Sequence, residues 1–289
     1  MQIPDWVDRR EYPFAPHYLD LPAGRLHYVD EGQGQPLVFA HGTPTWSFLY
    51  RHLVKSLSGR FRCVAPDNLG FGRSDRPRDY HVRPVDHAHN LHALIEHLGL
   101  GNVTLVVHDF GGPIGLSYAI DRPENVRSLV LFNTWMWSLG EDASMRRRLR
   151  FAGGPIGQLL YRYLNFSARV IVKHAWGTRV PLTNELHRQY LDAFPTPDSR
   201  VSPMLFAREA LGSGDWYDDL WHRRDRIADK PALLLWGLKD PAFGAFLPRW
   251  QQLFTNAETV TFSDVGHFPQ EEVGPELVPI VARFLDVAS

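Results

Sequence analysis

Cysteine is almost missing from this sequence: Cys63 is the only one in 289 residues, which excludes an intramolecular disulfide and any multi-cysteine metal site. An excess of one charge is missing too. Lysine plus arginine number 31 and aspartate plus glutamate 32, so no long-range field points to nucleic acid or to an anionic membrane surface as partner. No apolar run approaches the roughly 20 residues of a membrane span, and the opening "MQIPDWVDRREYPFAPHY" has no apolar signal-peptide core; the expectation is a soluble, cytoplasmic protein. The 14 histidines never fall into HExxH or a comparable ligand spacing, and His92 and His97 on one helical stretch are wrongly spaced, so neither a metal nor a cofactor is expected. The partner left by these exclusions is small and uncharged overall. Oligomeric state stays open.

What the chain does have is enough apolar and aromatic residue, 44% and 12%, to bury a large core. Short apolar runs bounded by turn residues alternate with amphipathic stretches, the pattern of strands feeding crossover helices in a mostly parallel, twisted sheet. "GRLHYVDEG" and "GQPLVFAHG" read as two early strands, joined as a hairpin through Gly32 and Gly34. "FRCVAPDN", "VTLVVHD", "VRSLVLFN", "PALLLWG" and "AETVTFSD" continue the series, with helical patterns near 45–57, 84–99, 111–120 and 274–287. From Trp135 to Trp221 the strand patterns stop, and short helical stretches joined by Pro and Gly take over. This divides the chain into a first core segment 1–134, an inserted helical cap 135–221 and a second core segment 222–289. The aromatic residues Trp135, Trp137, Tyr161, Tyr163 and Trp176 read either as the cap's own core or as the lining of an apolar pocket.

Open parallel sheets bind ligands beyond the carboxyl ends of their strands, so the residues just after each strand carry the chemical information. There stand Asp109 after "VTLVVH", Asp240 after "LLLWGLK", His267 after "VTFSDVG", and "HGTPTW" after "PLVFA". An ionised carboxylate between a buried strand and a tight turn is costly unless it is paired or used. Asp109 also fits a helix N-cap, but a histidine and a second acid in matching places weigh towards chemistry. Nucleophile, acid, histidine is the chain order of an α/β-hydrolase fold, whose nucleophile sits on a sharp strand-to-helix turn.

The stretches "HGTPTWSFLYR", "APDNLGFGRSDRP", "VVHDFGG", "LWGLKDPAF" and "SDVGHFPQEE" together resemble the haloalkane dehalogenase branch of the α/β-hydrolase superfamily, and they span nearly the whole chain. Epoxide hydrolases and β-lactone decarboxylases share the pattern. The resemblance implies a small apolar organic substrate, Asp109 as nucleophile, Asp240 as the acid that orients His267, and backbone N–H groups of Thr43 and Phe110 as the oxyanion hole. Asn133, where some relatives place the acid, is not a carboxylate. His41 is expected to support its own loop. The sequence departs from the family at the leaving-group site, where Phe110 and Thr43 stand in place of a tryptophan and an amide. An indole from Trp135, Trp137 or Trp176 would replace the missing donor to a halide. For a tethered oxygen leaving group, a proton from Tyr161, Tyr163, Tyr190 or Tyr217 would serve. A ligand-binding homologue without catalysis is the reading from another class.

Overall fold

The computed structural model describes residues 4–77 and 83–288. Eight strands, β1 (His17–Leu21), β2 (Gly24–Glu31), β3 (Pro36–Ala40), β4 (Arg62–Pro66), β5 (Val103–Asp109), β6 (Val126–Thr134), β7 (Ala232–Gly237) and β8 (Glu258–Phe262), form one sheet in the order β1-β2-β4-β3-β5-β6-β7-β8. β1 and β2 pair antiparallel, as do β2 and β4; every other pairing is parallel. Burial explains the order. All seven residues of β5 are buried, as a strand covered by helices on both faces must be, whereas β1 and β8 at the edges are half-exposed.

The hairpin expected through Gly32 and Gly34 does not form. β2 instead makes its hairpin with β1, where Leu21 faces Gly24, while β3 lies between β4 and β5. The apolar β3 needs neighbours on both sides, and the chain crosses to that place past α1. Gly32 makes the crossing possible: its φ is +81°, and a Cβ there would lie 2.2 Å from the Ser58 carbonyl oxygen.

Helices α1 (Arg51–Leu57), α2 (Pro84–His97) and α3 (Gly111–Asp121) follow the early strands. Six more lie between β6 and β7: α4 (Ala143–Gly153), α5 (Pro155–Leu164), α6 (Val172–Ala175), α7 (Asn184–Leu191), α8 (Val201–Gly212) and α9 (Gly214–His222). α10 (Leu247–Leu253) precedes β8, and α11 (Pro269–Glu272) and α12 (Gly274–Val287) end the chain. The helical segment is bound to the sheet by polar contacts as well as packing. Trp46 donates its indole N–H to the Gln189 carbonyl at 3.0 Å. Buried Glu271 accepts from Arg51 at 2.5 Å and from the Tyr190 hydroxyl. No helix among the described residues is long and apolar enough to cross a membrane.

Candidate functional site

Asp109 is the last residue of β5 and has φ +53°, a left-handed backbone that costs an ordinary residue about 1–2 kcal/mol. Thr134, at the end of the neighbouring β6, holds the turn by donating its hydroxyl to the Asp109 carbonyl at 2.6 Å. Small residues let the turn close: a Cβ on Gly111 would lie 1.9 Å from the Ala40 carbonyl oxygen, and one on Gly42 would lie 2.0 Å from Asp109 Oδ1. The carboxylate is thereby aimed at the loop after β3, where the Thr43 amide donates to Oδ1 at 2.7 Å. The Phe110 amide makes no hydrogen bond to the carboxylate in this conformation.

Oδ2 of Asp109 faces His267 Nε2 at 3.5 Å, and His267 Nδ1 meets Asp240 Oδ2 at 2.7 Å. All three side chains are buried. Burial by itself would lower the imidazole pKa, but the Asp240 and Asp109 carboxylates outweigh it and raise His267 to about 10. Asp240 moves the other way. Burial would raise its pKa, yet His267 and the amides of Ala242 and Phe243 hold it below the usual carboxylate range. In this state the row is aspartate, imidazolium, aspartate. Such a row can present a carboxylate as nucleophile and keep a base beside it, waiting for its proton to leave.

Three further side chains support this row, and chain order assigns a role to none of them. Asn133, at the end of β6, donates to Asp240 Oδ2 at 2.9 Å and exchanges hydrogen bonds with the Gly237 backbone, so the residue that cannot be the acid holds the acid in place. Its amide composition was the available signal, since a buried asparagine after a strand needs partners for four hydrogen bonds. Buried His108 donates through Nε2 to the His267 carbonyl at 2.7 Å, and burial followed by the charge on His267 pushes its own pKa to about 3, so it stays neutral. Glu272 accepts from the amides of Gly266 and Gly177, both at 2.9 Å, and so clasps the histidine loop to the helical segment. His267 N also donates to the Ala175 carbonyl at 2.8 Å across the same seam. Asn133→Ala is expected to lower kcat about 10- to 100-fold through misplacement of Asp240, with KM nearly unchanged. Steady-state kinetics on whichever substrate the wild type turns over checks it, and an equal rise in KM would show that Asn133 shapes binding instead.

Above the row lies a largely apolar cavity of about 630 Å³, lined by Thr43, Asp109, Phe110, Trp135, Tyr161 and His267 together with apolar side chains of α4, α8 and the turn before α6. Phe110 stacks on Phe206 with ring centres 4.4 Å apart and meets Trp135 edge-on at 4.7 Å. The Trp135 indole N–H and the Thr43 hydroxyl are both buried and have no hydrogen-bond partner among the described residues. Tyr161 is buried, and burial reinforced by the Asp109 charge raises its pKa, so it faces the cavity as a protonated phenol.

The other aromatics named from sequence do not line this cavity. Trp137 packs against Trp221, Phe246 and Trp250. Trp176 donates to the Val180 carbonyl, and Tyr163 is exposed on the outer side of α5. Tyr190 and Tyr217 spend their hydroxyls on Glu271 and on the Glu209 carbonyl. His41 donates at Nδ1 to the Gly42 carbonyl of its own loop and accepts at Nε2 the Asn68 amide from the loop after β4. No group of three or more metal-ligating side chains occurs among the described residues.

A family model of the alpha/beta hydrolase fold matches residues 35–273. The chain is 34% identical over 288 residues to haloalkane dehalogenase 2 of Mycobacterium tuberculosis, a match that covers 98% of this chain and 100% of that protein. It is also 34% identical over 284 residues to the cis-3-alkyl-4-alkyloxetan-2-one decarboxylase of Shewanella oneidensis, over 94% of this chain and 89% of that one. The crystal structure of the haloalkane dehalogenase DatA from Agrobacterium tumefaciens C58 superposes with a TM-score of 0.83 at 27% identity, covering 95% of this chain and 97% of that one.

Proposed function

The chain belongs to the α/β-hydrolase fold family, in the branch of its haloalkane dehalogenase relatives, and on that premise we propose that it hydrolyses apolar alkyl substrates through an ester on Asp109. The observation that carries the reading is the carboxylate on a strained turn, with His267 and Asp240 in line behind it and an apolar cavity in front. Asp109 attacks the sp³ carbon of a haloalkane and the halide departs with the bonding electrons. Esterification removes one of the two charges that hold the proton on His267. Its pKa falls, the proton leaves to solvent, and the neutral imidazole takes a proton from water as that water attacks the Asp109 carbonyl carbon. The tetrahedral oxyanion rests on the Thr43 amide and collapses to carboxylate and alcohol, the alcohol taking its proton from His267 and the hydroxyl proton of the intermediate passing to His267, which restores the starting imidazolium. The net products are alcohol, halide and a proton. No step requires a cofactor.

The leaving halide finds its donors in the buried Trp135 N–H and Thr43 hydroxyl, whose lack of partners costs about 1–3 kcal/mol each until an acceptor arrives. A second reading rests on Tyr161, the protonated phenol that faces the cavity: a tethered oxygen leaving group, as in a β-lactone or an epoxide, needs a proton and would take it there. The decarboxylase relative belongs with that reading.

A panel of 1,2-dibromoethane with bromide detection, a dialkyl β-lactone and styrene oxide decides between the two, run on the wild type, Trp135→Phe and Tyr161→Phe. If the leaving group is halide, Trp135→Phe loses about 100-fold in kcat on the bromide while Tyr161→Phe loses little. The reverse pattern on the oxygen substrates makes the second reading the correct one. Inactivity of the wild type on all three overturns the proposal.

A further inference from the structure

The near-neutral total charge conceals a segment of one sign. Between Asp142 and Glu185 the chain carries eight arginines and lysines and no carboxylate, so the rest of the chain is acidic on balance. Arg162 pairs with Asp198, Arg179 pairs with Asp264 and Glu276, and Arg146 and Arg148 donate to backbone carbonyls. Arg147, Arg150, Arg169 and Lys173 are exposed and form no ion pair among the described residues. Glu185 borders the same surface groove as Arg169 and Lys173, beyond ion-pair distance of both.

The same segment exposes apolar side chains. Of the nine large apolar residues exposed in the described chain, six lie on α4, α5 and the turn before α6: Phe151, Ile156, Leu159, Tyr163, Leu164 and Val170. Their exposure runs from 46% to 63%. On α5 the spacing Ile156, Leu159, Tyr163 marks one outward face, while Gly157 and Tyr161 turn inward to the protein. A helix apolar on both faces has one face that its own fold does not cover. Phe151 and Val170 belong to both surfaces, being exposed and also lining the cavity above Asp109.

We propose that the outer face of α4, α5 and the turn before α6 docks on an anionic phospholipid surface, its apolar side chains inserted among the acyl chains and its unpaired cations against the headgroups. An apolar stripe flanked by arginine and lysine is the composition of an interfacial helix, and it lies in the plane of the membrane without spanning it. The acidic remainder of the chain faces away from the lipid, so the field of the molecule selects this orientation on approach. The mouth of the cavity then opens onto the bilayer, where apolar alkyl compounds concentrate. Docking itself does not depend on the reaction catalysed.

Co-sedimentation of the full chain with vesicles of mixed phosphatidylglycerol and phosphatidylcholine, against vesicles of phosphatidylcholine alone, tests it without any substrate. The protein is expected to pellet with the anionic vesicles, to stay in solution with the neutral ones, and to be released by salt. Ile156→Ser with Leu159→Ser, and separately Arg150→Gln with Arg169→Gln and Lys173→Gln, should each lower the partition coefficient about tenfold or more, with the melting temperature unchanged. A wild type that ignores both kinds of vesicle overturns the proposal. So do variants that bind as the wild type does. A serine variant that only changes the sedimentation coefficient in vesicle-free solution would make the face a contact between copies of this chain, and the lipid proposal would fall.

Discussion

Asp109→Ala and Asp109→Asn are both expected to leave a folded protein with turnover reduced about 10⁴-fold or more, because the bond-forming atom is gone while the cavity and the His267 row persist. The pair matters because of the backbone. At φ +53° asparagine is the best-tolerated replacement after glycine, whereas alanine adds about 1–2 kcal/mol of left-handed strain, so a lower melting temperature confined to Asp109→Ala separates folding from chemistry. The wild type offers a positive test of the same step. A single turnover in H₂¹⁸O should place the heavy oxygen in the Asp109 carboxylate, read by mass in the peptide that contains it, and leave the first alcohol unlabelled. The alcohol oxygen in that turnover comes from the enzyme. Heavy oxygen in the first alcohol would mean that water attacks the substrate directly and no ester forms.

His267→Gln should stop the reaction one step later. Attack by Asp109 needs no base, so the ester forms, but no group remains to take a proton from the hydrolytic water, and turnover should fall about 10³- to 10⁴-fold. Intact mass after incubation with substrate should show the alkyl group added to the protein. Asp109→Asn combined with His267→Gln should show none. Turnover by His267→Gln at the wild-type rate would remove His267 from the chemistry altogether. The Asp240 contact sharpens the reading: Asp240→Asn weakens the orientation of the imidazole and one of the two charges that raise its pKa, so it should slow hydrolysis while leaving the imidazole present.

The sheet was legible in the sequence wherever strands are buried on both sides, because β5, β6 and β7 each have a short apolar run, residues 105–107, 129–132 and 232–236. β1, "HYLDL", was not legible: an edge strand half in solvent has neither a clean apolar run nor a strict alternation. The misplaced hairpin at Gly32 and Gly34 has the same root. Two glycines between two apolar runs signal a turn, but nothing local says that the next strand will be inserted further along the sheet. At the site, chain order singled out Asp109, Asp240 and His267, and these lie within 3.5 Å of one another in sequence along the row. Chain order carries no information about the supports. Asn133, His108 and Glu272 act through Asp240, His267 and Gly177, which are 107, 159 and 95 residues away, distances at which no local pattern operates. The two readings of the aromatics between β6 and β7 stayed open in the sequence for a further reason. Composition counts the tryptophans and tyrosines but does not say which way each faces, so Trp135 and Tyr161 reach the cavity while Trp137, Tyr163 and Trp176 do not.

The clasp at Glu272 sets a rule for recombining this chain with its relatives. Its two oxygens hold Gly177 on one limb and Gly266 on the other, and a Cβ at position 177 would come within 2.5 Å of Asp264 O, Gly266 N and Glu272 Oε2 at once. A donor segment grafted across that seam therefore imports a collision with the histidine loop unless it brings its own glycine at that place. Exchanges confined to α4 and α5 leave the seam untouched. Substrate range can drift there through many small replacements while the chemistry below is inherited unchanged.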